Sequence, residues 1–209
     1  MNFNQHLDLE GRHAFLGASK YSWLNYDANK LTLVYKSQYA NQMGTVLHDL
    51  AHRCIKNRVK LSKSDRHLVI LTLLENGIPQ GLIDANYILE TLVPFVNDAI
   101  GFRMETEQIL YYTENSFGCA DVISFKDNFL RIHDYKSGVL PVHMEQLKIY
   151  AALFCLEYLV KPENITIELR IYQSGEIVYE KPDPKEIREI LNKIIDSDRL
   201  LRKIKEEER

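Results

Sequence analysis

The sequence has few cysteines, no long apolar run and no excess of positive charge. Its three cysteines, Cys54, Cys119 and Cys155, are far apart and odd in number. They argue against a disulfide framework and a four-cysteine metal site, and they favour a reducing compartment. No stretch is apolar and long enough to span a membrane, and the first residues lack the basic and apolar segments of a secretion signal. We therefore expect a cytoplasmic protein with no membrane partner.

The charge balance gives no indication of a nucleic-acid partner. The 209 residues carry a formal net charge of −3, so the protein has no global positive field that would attract DNA. A local basic groove remains compatible with this balance. The composition, 45% hydrophobic and 26% charged, is ordinary for a globular protein. The length suits one large domain, or one domain with a helical appendage.

The order of the predicted elements indicates the fold class. Three helical patterns, of which one runs from about Tyr39 to Lys60, precede the β-rich runs "TEQILYY", "FGCADVISF" and "NFLRIHDYK". The turn-like "TENS" and "KDN" separate these runs and predict an antiparallel meander. The helical pattern "HMEQLKIYAALFCLEYLV" follows, then a hairpin with Ser174 and Gly175 at its turn. An amphipathic helix with Asp183 as candidate N-cap ends the chain.

This order predicts an α/β protein with a central mixed sheet, helices on both sides and an N-terminal helical lobe. We expect a single domain made of three regions. These are a helical lobe at about 13–102, a sheet core at about 103–182 and a C-terminal helix at about 183–209.

The stretch "RIHDYKSG" combines an acid and a lysine inside a predicted buried strand. Side chains of a strand alternate between its faces, so Asp134 and Lys136 share one face and Tyr135 points to the other. A carboxylate and an ammonium placed together near an interior form either a plain ion pair or a functional site.

Three acids of the meander are candidates to converge on a metal: Glu107, Asp121 and Asp134. Carboxylates inside apolar strands are costly unless they are paired, hydrogen-bonded or bound to a cation. Oxygen ligands with room for water suit Mg²⁺ or Mn²⁺, and a nearby lysine would stabilise charge on a phosphoryl group. Glu107 has the alternative of a solvated strand end, and Glu105 has the same strand parity.

Two helices carry further candidates. In "GTVLHDLAH", His48 is either a metal ligand or a half-buried core histidine, and Gly44 would permit a close approach. The segment "HDLAH" lacks the glutamate of H-E-x-x-H, which argues against a zinc protease. In the helix after the lysine strand, Gln146 and Tyr150 would contact phosphate or orient Lys136, or else be solvated and core residues respectively.

In chain order, "GTVLHDLAH", "TEQILYY", "GCADVIS", "IHDYKSG" and "EQLKIYAALF" resemble the PD-(D/E)XK nuclease superfamily. Within it they resemble the RecB-like exonuclease branch, and most closely a phage- and prophage-encoded group. The likeness, which includes the early "SKYSWLN", covers most of residues 13–155 and implies a restriction-endonuclease-like core. The implied roles are a metal ligand at His48, an auxiliary acid at Glu107, principal ligands at Asp121 and Asp134 with the backbone carbonyl of Tyr135, a catalytic lysine at Lys136, and substrate contacts at Gln146 and Tyr150.

The resemblance implies a Mg²⁺- or Mn²⁺-dependent DNA nuclease. It would be an exonuclease acting at DNA ends or on single strands in phage recombination or DNA processing. It would work in the cytoplasm of a bacterial host, with a separate recombination or helicase protein as partner. Many relatives hold an iron–sulfur cluster bound by four cysteines. This sequence has only three cysteines and none after Cys155, so we predict no iron–sulfur cluster here. Asp134 also stands where many members have glutamate. The alternatives are a degenerate nuclease fold that binds DNA or protein, and a structure-specific endonuclease.

Overall fold

The computed structural model describes residues 4–139 and 141–208. Its backbone forms two compact units, Met1–Gln42 and Met43–Arg209. The three regions predicted from the sequence, with boundaries near 102 and 182, were defined by the change from helices to strands and back. The division into compact units does not test them, so they stay a prediction.

The first unit contains two 3₁₀ helices, Leu7–Leu9 and Ala18–Asn25. Helix α1 spans Ala28–Lys56 and so contributes residues to both units. Its start is capped by Asp27, whose Oδ1 accepts a hydrogen bond from the Lys30 N–H at 2.7 Å. The predicted start near Tyr39 was wrong because the first turns are mostly exposed and lack the apolar periodicity on which the prediction depended.

Among the described residues, the second unit contains four further α-helices, two short 3₁₀ helices (Gln80–Leu82 and Pro162–Asn164) and five strands. The helices are α2 (Arg66–Glu75), α3 (Ala85–Gly101), α4 (Glu145–Glu157) and α5 (Pro184–Glu207). The strands are β1 (Glu105–Thr113), β2 (Ser116–Lys126), β3 (Phe129–Lys136), β4 (Thr166–Gln173) and β5 (Glu176–Glu180).

The strands form one mixed sheet in the order β1-β2-β3-β4-β5. Strands β1 to β3 pair antiparallel as a meander, β3 and β4 are parallel, and β4 and β5 form an antiparallel hairpin. A parallel pair needs a crossover, and α4 supplies it. The predicted α/β fold, with a mixed sheet between helices and an N-terminal helical region, is confirmed.

The two faces of the sheet are covered by different helices. On one face, the buried rings of Tyr135 and Tyr172 pack against Phe95 of α3, with centroids 5.6 and 5.4 Å away. On the other face, Ile132 belongs to a buried cluster with Leu147 of α4. The strand alternation predicted for β3 therefore holds, because Ile132 and Tyr135 lie on opposite faces.

The predicted turn and cap at the C-terminal end are confirmed. Ser174 and Gly175 both have positive φ, 53° and 76°, as a two-residue hairpin turn of type I′ requires. The side chain of Asp183 accepts a hydrogen bond from the Lys185 N–H at 2.8 Å and so caps α5.

Candidate functional site

The end of β3 places a buried acid against a lysine. The side chain of Asp134 is 3% exposed, and its Oδ2 lies 2.9 Å from Nζ of Lys136, whose side chain is 35% exposed. Burial, followed by the negative charge of Asp121, raises the pKa of Asp134 to about 6, although Lys136 and His48 oppose the shift. Folding therefore holds a carboxylate where it is electrostatically unfavourable, which is common at functional sites.

A chain of hydrogen bonds extends from this pair to α4. Lys136 Nζ donates to Gln146 Oε1 at 3.1 Å, and Gln146 Nε2 donates to Tyr150 Oη at 2.9 Å. Residues four apart on a helix are neighbours on its surface, so the spacing of Gln146 and Tyr150 makes this contact possible. The structure connects Gln146 directly, and Tyr150 through Gln146, to Lys136. Gln146 is also exposed and Tyr150 packs against the buried cluster, as the two alternatives expected.

Glycine permits a close approach on either side of this chain of bonds. A Cβ added at Gly118 of β2 would lie 2.7 Å from Cε1 of Tyr150, and one added at Gly44 of α1 would lie 3.0 Å from Oγ of Ser137. The approach expected at Gly44 is therefore present, and the chain segment just after β3 occupies it.

Asp121 and His48 meet where the pairing of β2 with β3 ends. The paired residues end at Val122 and His133, and one more step of the same register would place Asp121 opposite Asp134. There Asp121 Oδ2 accepts a hydrogen bond from the Tyr135 N–H at 3.0 Å and lies 3.3 Å from Nδ1 of His48. The carboxylate thus binds a main-chain donor and an imidazole with the same oxygen.

The imidazole of His48 is also fixed by an aromatic contact. Its ring centroid lies 5.4 Å from that of Tyr135, with the rings nearly perpendicular. His48 is half-buried, as the core alternative required, but its Nδ1 faces a carboxylate. His48 is therefore both a half-buried residue and a member of the candidate site.

Glu107 contacts a different imidazole from Asp121. Its φ of 51° is in the left-handed region. Its neighbours Thr106 and Gln108 pair with Val122 and Ala120 in one register, which places Glu107 opposite Asp121. Its exposed carboxylate lies 3.2 Å from Nδ1 of His52. The alternative acid, Glu105, is exposed and stays in the ladder opposite Ile123.

Sequence reasoning did not assign His52 to the site. Its Nδ1 lies 2.6 Å from Thr106 Oγ1 and 3.2 Å from Glu107. The available clue was its spacing of four residues from His48, which places both imidazoles on one side of α1. With Asp49, Arg53 and Asn76, among others, this histidine lines a cleft of about 290 Å³.

The described ranges, 4–139 and 141–208, contain no group of three His, Cys, Asp or Glu side chains arranged to hold a metal ion. The acids are engaged separately: Asp121 with His48, Asp134 with Lys136, and Glu107 with His52. One atom nonetheless has unused capacity, because the buried Oδ2 of Asp134 accepts no hydrogen bond of normal geometry. The carboxylates of Asp121 and Asp134 and the imidazole of His48 are donor types that bind divalent cations.

A second buried polar network lies on the opposite face of β3. Glu168 of β4 contacts Arg131 and Arg170 at 3.2 Å each, and His133 at 3.6 Å. His133, together with the two arginines, holds the pKa of Glu168 down at about 2, while burial lowers the pKa of His133. This network fixes β3 against β4 directly behind Asp134.

The comparisons give one match. The sequence profile of a family described as a protein of unknown function, DUF2800, matches residues 13–175. The chain belongs to the DUF2800 family. The matched segment contains every site residue from His48 to Tyr150, whereas α5 of this DUF2800 protein lies outside it. No curated protein and no solved structure matches the chain.

In the part of the chain that the structure describes, no helix has the length and apolar character needed to cross a membrane.

Proposed function

We propose that this DUF2800 protein is a metal-dependent deoxyribonuclease of the PD-(D/E)XK type, acting as an exonuclease at DNA ends or on single strands. The observation that carries the proposal is the junction of β2 and β3, where one acid contacts an imidazole and the next contacts a lysine. We also propose that it works in the cytoplasm of a bacterial or phage-infected cell, with a separate recombination or helicase protein.

The proposed cation is Mg²⁺ or Mn²⁺, held by Asp121, Asp134 and His48, with the backbone carbonyl of Tyr135 as a further ligand. The raised pKa of Asp134 supports this assignment, because burial and the charge of Asp121 make its ionised form unfavourable, and a cation would relieve this cost. When bound, such a cation lowers the pKa of a coordinated water and polarises a phosphoryl oxygen.

Lys136 has the central role among the protein's own groups. Its Nζ is held by Asp134 and Gln146, so the ammonium keeps one position instead of sampling many. A fixed ammonium stabilises negative charge that develops on a phosphoryl oxygen, at no cost of reorganisation during the reaction. Gln146 and Tyr150 are positioning residues in this proposal, because they act through Lys136.

Glu107 and His52 have a different proposed role. The side chain of Glu107 is 52% exposed, and its carboxylate contacts His52. We assign Glu107 to orienting water near the cation, as an auxiliary acid.

Incubation of end-labelled DNA with the protein and Mn²⁺ tests the proposal. We expect degradation to be lost in Asp121→Asn and Lys136→Ala and kept in Asp196→Asn, which changes an exposed acid of α5. Undiminished degradation in the two site variants would exclude these assignments. Short oligomers or mononucleotides indicate an exonuclease, whereas discrete fragments from a circular plasmid indicate an endonuclease. DNA binding without degradation by the wild type indicates a degenerate binding module.

A further inference from the structure

The last turns of α5 expose apolar side chains to solvent. Every residue from 199 to 208 is exposed, and Leu200, Leu201 and Ile204 are among them, at 58%, 42% and 39%. Most of the stability of a helix in a protein comes from packing its apolar face against a neighbour. An exposed group of large apolar residues on one helix therefore indicates a contact with another molecule.

These residues continue an apolar stripe that has the spacing of a coiled coil. The stripe residues are separated alternately by four and three positions: Ile190, Ile194, Ser197, Leu201 and Ile204. Ile190 and Ile194 are partly buried, whereas Leu201 and Ile204 are exposed. This spacing keeps apolar residues on one side of a helix, where a second helix packs alongside.

An apolar groove lies beside the stripe. It has a volume of about 360 Å³ and lies between α5 and the first turns of α4, where Ile149 is exposed. The side of α5 that carries Asp198 is already occupied within the chain. Asp198 is buried there and accepts hydrogen bonds from Thr113 Oγ1 at 2.6 Å and Asn115 Nδ2 at 2.9 Å. A partner helix would therefore approach from the groove side.

The charges beside the stripe are complementary to those of a second α5. Lys193, Leu200 and Glu207 follow one another at intervals of seven residues and so lie on one line along the helix. This line has a positive end, an apolar middle and a negative end. When two α5 helices lie antiparallel with their Leu200 side chains together, Lys193 of each copy faces Glu207 of the other.

Both charged groups are accessible for such contacts. Lys193 is exposed and lines the groove. Within one copy Glu207 lies 3.8 Å from Lys203, with both side chains exposed, and an ion pair of this kind contributes little. Charged residues that flank an apolar seam set the partner and the orientation of paired helices. In a parallel pair the equal charges would instead lie at the same ends.

We infer that α5 pairs antiparallel with α5 of a second copy of this chain, through the stripe and the groove beside Ile149. One helix supplies both the positive and the negative half of the complementary set, which favours a second copy over the helix of another protein. The inference does not depend on the proposed nuclease function. From Ile190 to Glu207 the helix is about 26 Å long, so the interface is small and the dimer forms reversibly.

Sedimentation velocity of the full chain, without DNA, tests the inference over an about 100-fold range of protein concentration. We expect the wild type to shift from monomer to dimer as the concentration rises. Leu200→Glu should stay monomeric over the whole range, because it places two carboxylates together at the centre of the contact. Leu71→Glu is the matched control, since Leu71 is 56% exposed on α2, and it should dimerise like the wild type.

Exchange of the two charges tests the antiparallel arrangement. Lys193→Glu and Glu207→Lys should each weaken the dimer about 5-fold or more, because two attractive contacts become repulsive. The variant that combines Lys193→Glu with Glu207→Lys should dimerise like the wild type, since each pair is restored with its charges reversed.

Three results would overturn the inference. A wild type that is monomeric at every concentration would leave the groove to another protein or to an apolar small molecule. A wild-type dimer that Leu200→Glu does not weaken would place the contact elsewhere. A double charge variant that is as weak as either single variant would exclude the antiparallel pairing. Each result leaves the proposed nuclease function unaffected, because no DNA is present in the measurement.

Discussion

Oδ2 of Asp134 lies 2.9 Å from Nζ of Lys136 at the end of β3, with the carboxylate almost fully buried and the ammonium partly exposed. Lys136 reduces the cost of burying the acid, but it does not cancel the combined effect of burial and the charge of Asp121, since the pKa of Asp134 is still raised. Ionisation of Asp134 therefore lowers the stability of the folded protein.

Asp134→Asn should stabilise the metal-free protein. Above pH 6 the carboxylate of Asp134 is ionised in the folded and in the unfolded state. Its ionisation costs more free energy in the folded state, because its pKa is raised there. The shift from 3.8 to about 6 corresponds to about 1 to 3 kcal/mol at 1.36 kcal/mol per unit. Urea denaturation at pH 8 with chelator should show this gain. Asp196→Asn, at an exposed acid, should show none, and equal or lower stability of Asp134→Asn would contradict the argument.

The two histidines of α1 should differ in their effect on cation binding. His48 contacts Asp121 at 3.3 Å, whereas His52 contacts the exposed Glu107 at 3.2 Å. Replacing even a residue that only contacts a metal ligand lowers the affinity for the metal about 10- to 100-fold. We therefore expect His48→Ala to weaken Mn²⁺ binding by at least about 10-fold. Calorimetric titration measures this effect.

The comparison needs two further variants. His52→Ala should have the smaller effect, and His67→Ala, which changes an exposed histidine of α2, should have none. If His52→Ala weakens Mn²⁺ binding more than His48→Ala, the cation belongs to the Glu107 pair and our ligand assignment is wrong.

The sequence predicted the framework of the site better than its details. Strand parity placed Asp134 and Lys136 on one face, and helix spacing brought Gln146 and Tyr150 together; both depend on local periodicity, which a sequence displays. The contact of Glu107 with His52 could not be predicted, because Glu107 has a positive φ, which is uncommon for a non-glycine residue. The contact of His52 with Thr106 spans 54 positions, and no local pattern specifies such a pairing.

The different burial of Asp121 and Asp134 was also not predicted. Both acids lie in apolar strand segments, yet Asp121 is only partly buried, while Asp134 is 2% exposed. The cause is the position of the strands. β3 is the centre of the five-stranded sheet, with helices on both faces, and β2 lies next to the edge strand.

Glu168 should make stability depend on acid pH. Its folded pKa of about 2 lies below the ordinary value of 4.5, so the unfolded state binds protons first as the pH falls. The stabilisation is complete above pH 4.5 and is lost progressively towards pH 2. Glu168→Gln should cost about 2 kcal/mol at pH 7, in line with the loss of a buried charge partner. The stability of the variant should fall less than that of the wild type between pH 5 and pH 3 in urea titrations. Parallel pH profiles would show that Glu168 does not carry this dependence.

Gly118→Ala should disturb Lys136 from a distance. The added Cβ would lie 2.7 Å from Cε1 of Tyr150, so the ring must move, and with it the hydrogen bond from Gln146 that helps to hold Lys136. We expect a loss of about 1 to 3 kcal/mol in stability, as is usual for overpacking, and a lower kcat with little change in KM.

A double-mutant cycle identifies the cause of the Gly118→Ala effect. In a Tyr150→Ala background the added methyl group meets no ring, so Gly118→Ala should then cost much less stability and no further activity. Gly81→Ala is the control, because a Cβ at Gly81 meets nothing within 4 Å. Additive effects of the two substitutions would mean that Gly118→Ala acts on the pairing of β1 with β2. The route through Tyr150 and Gln146 to Lys136 would then have no part in the loss of activity.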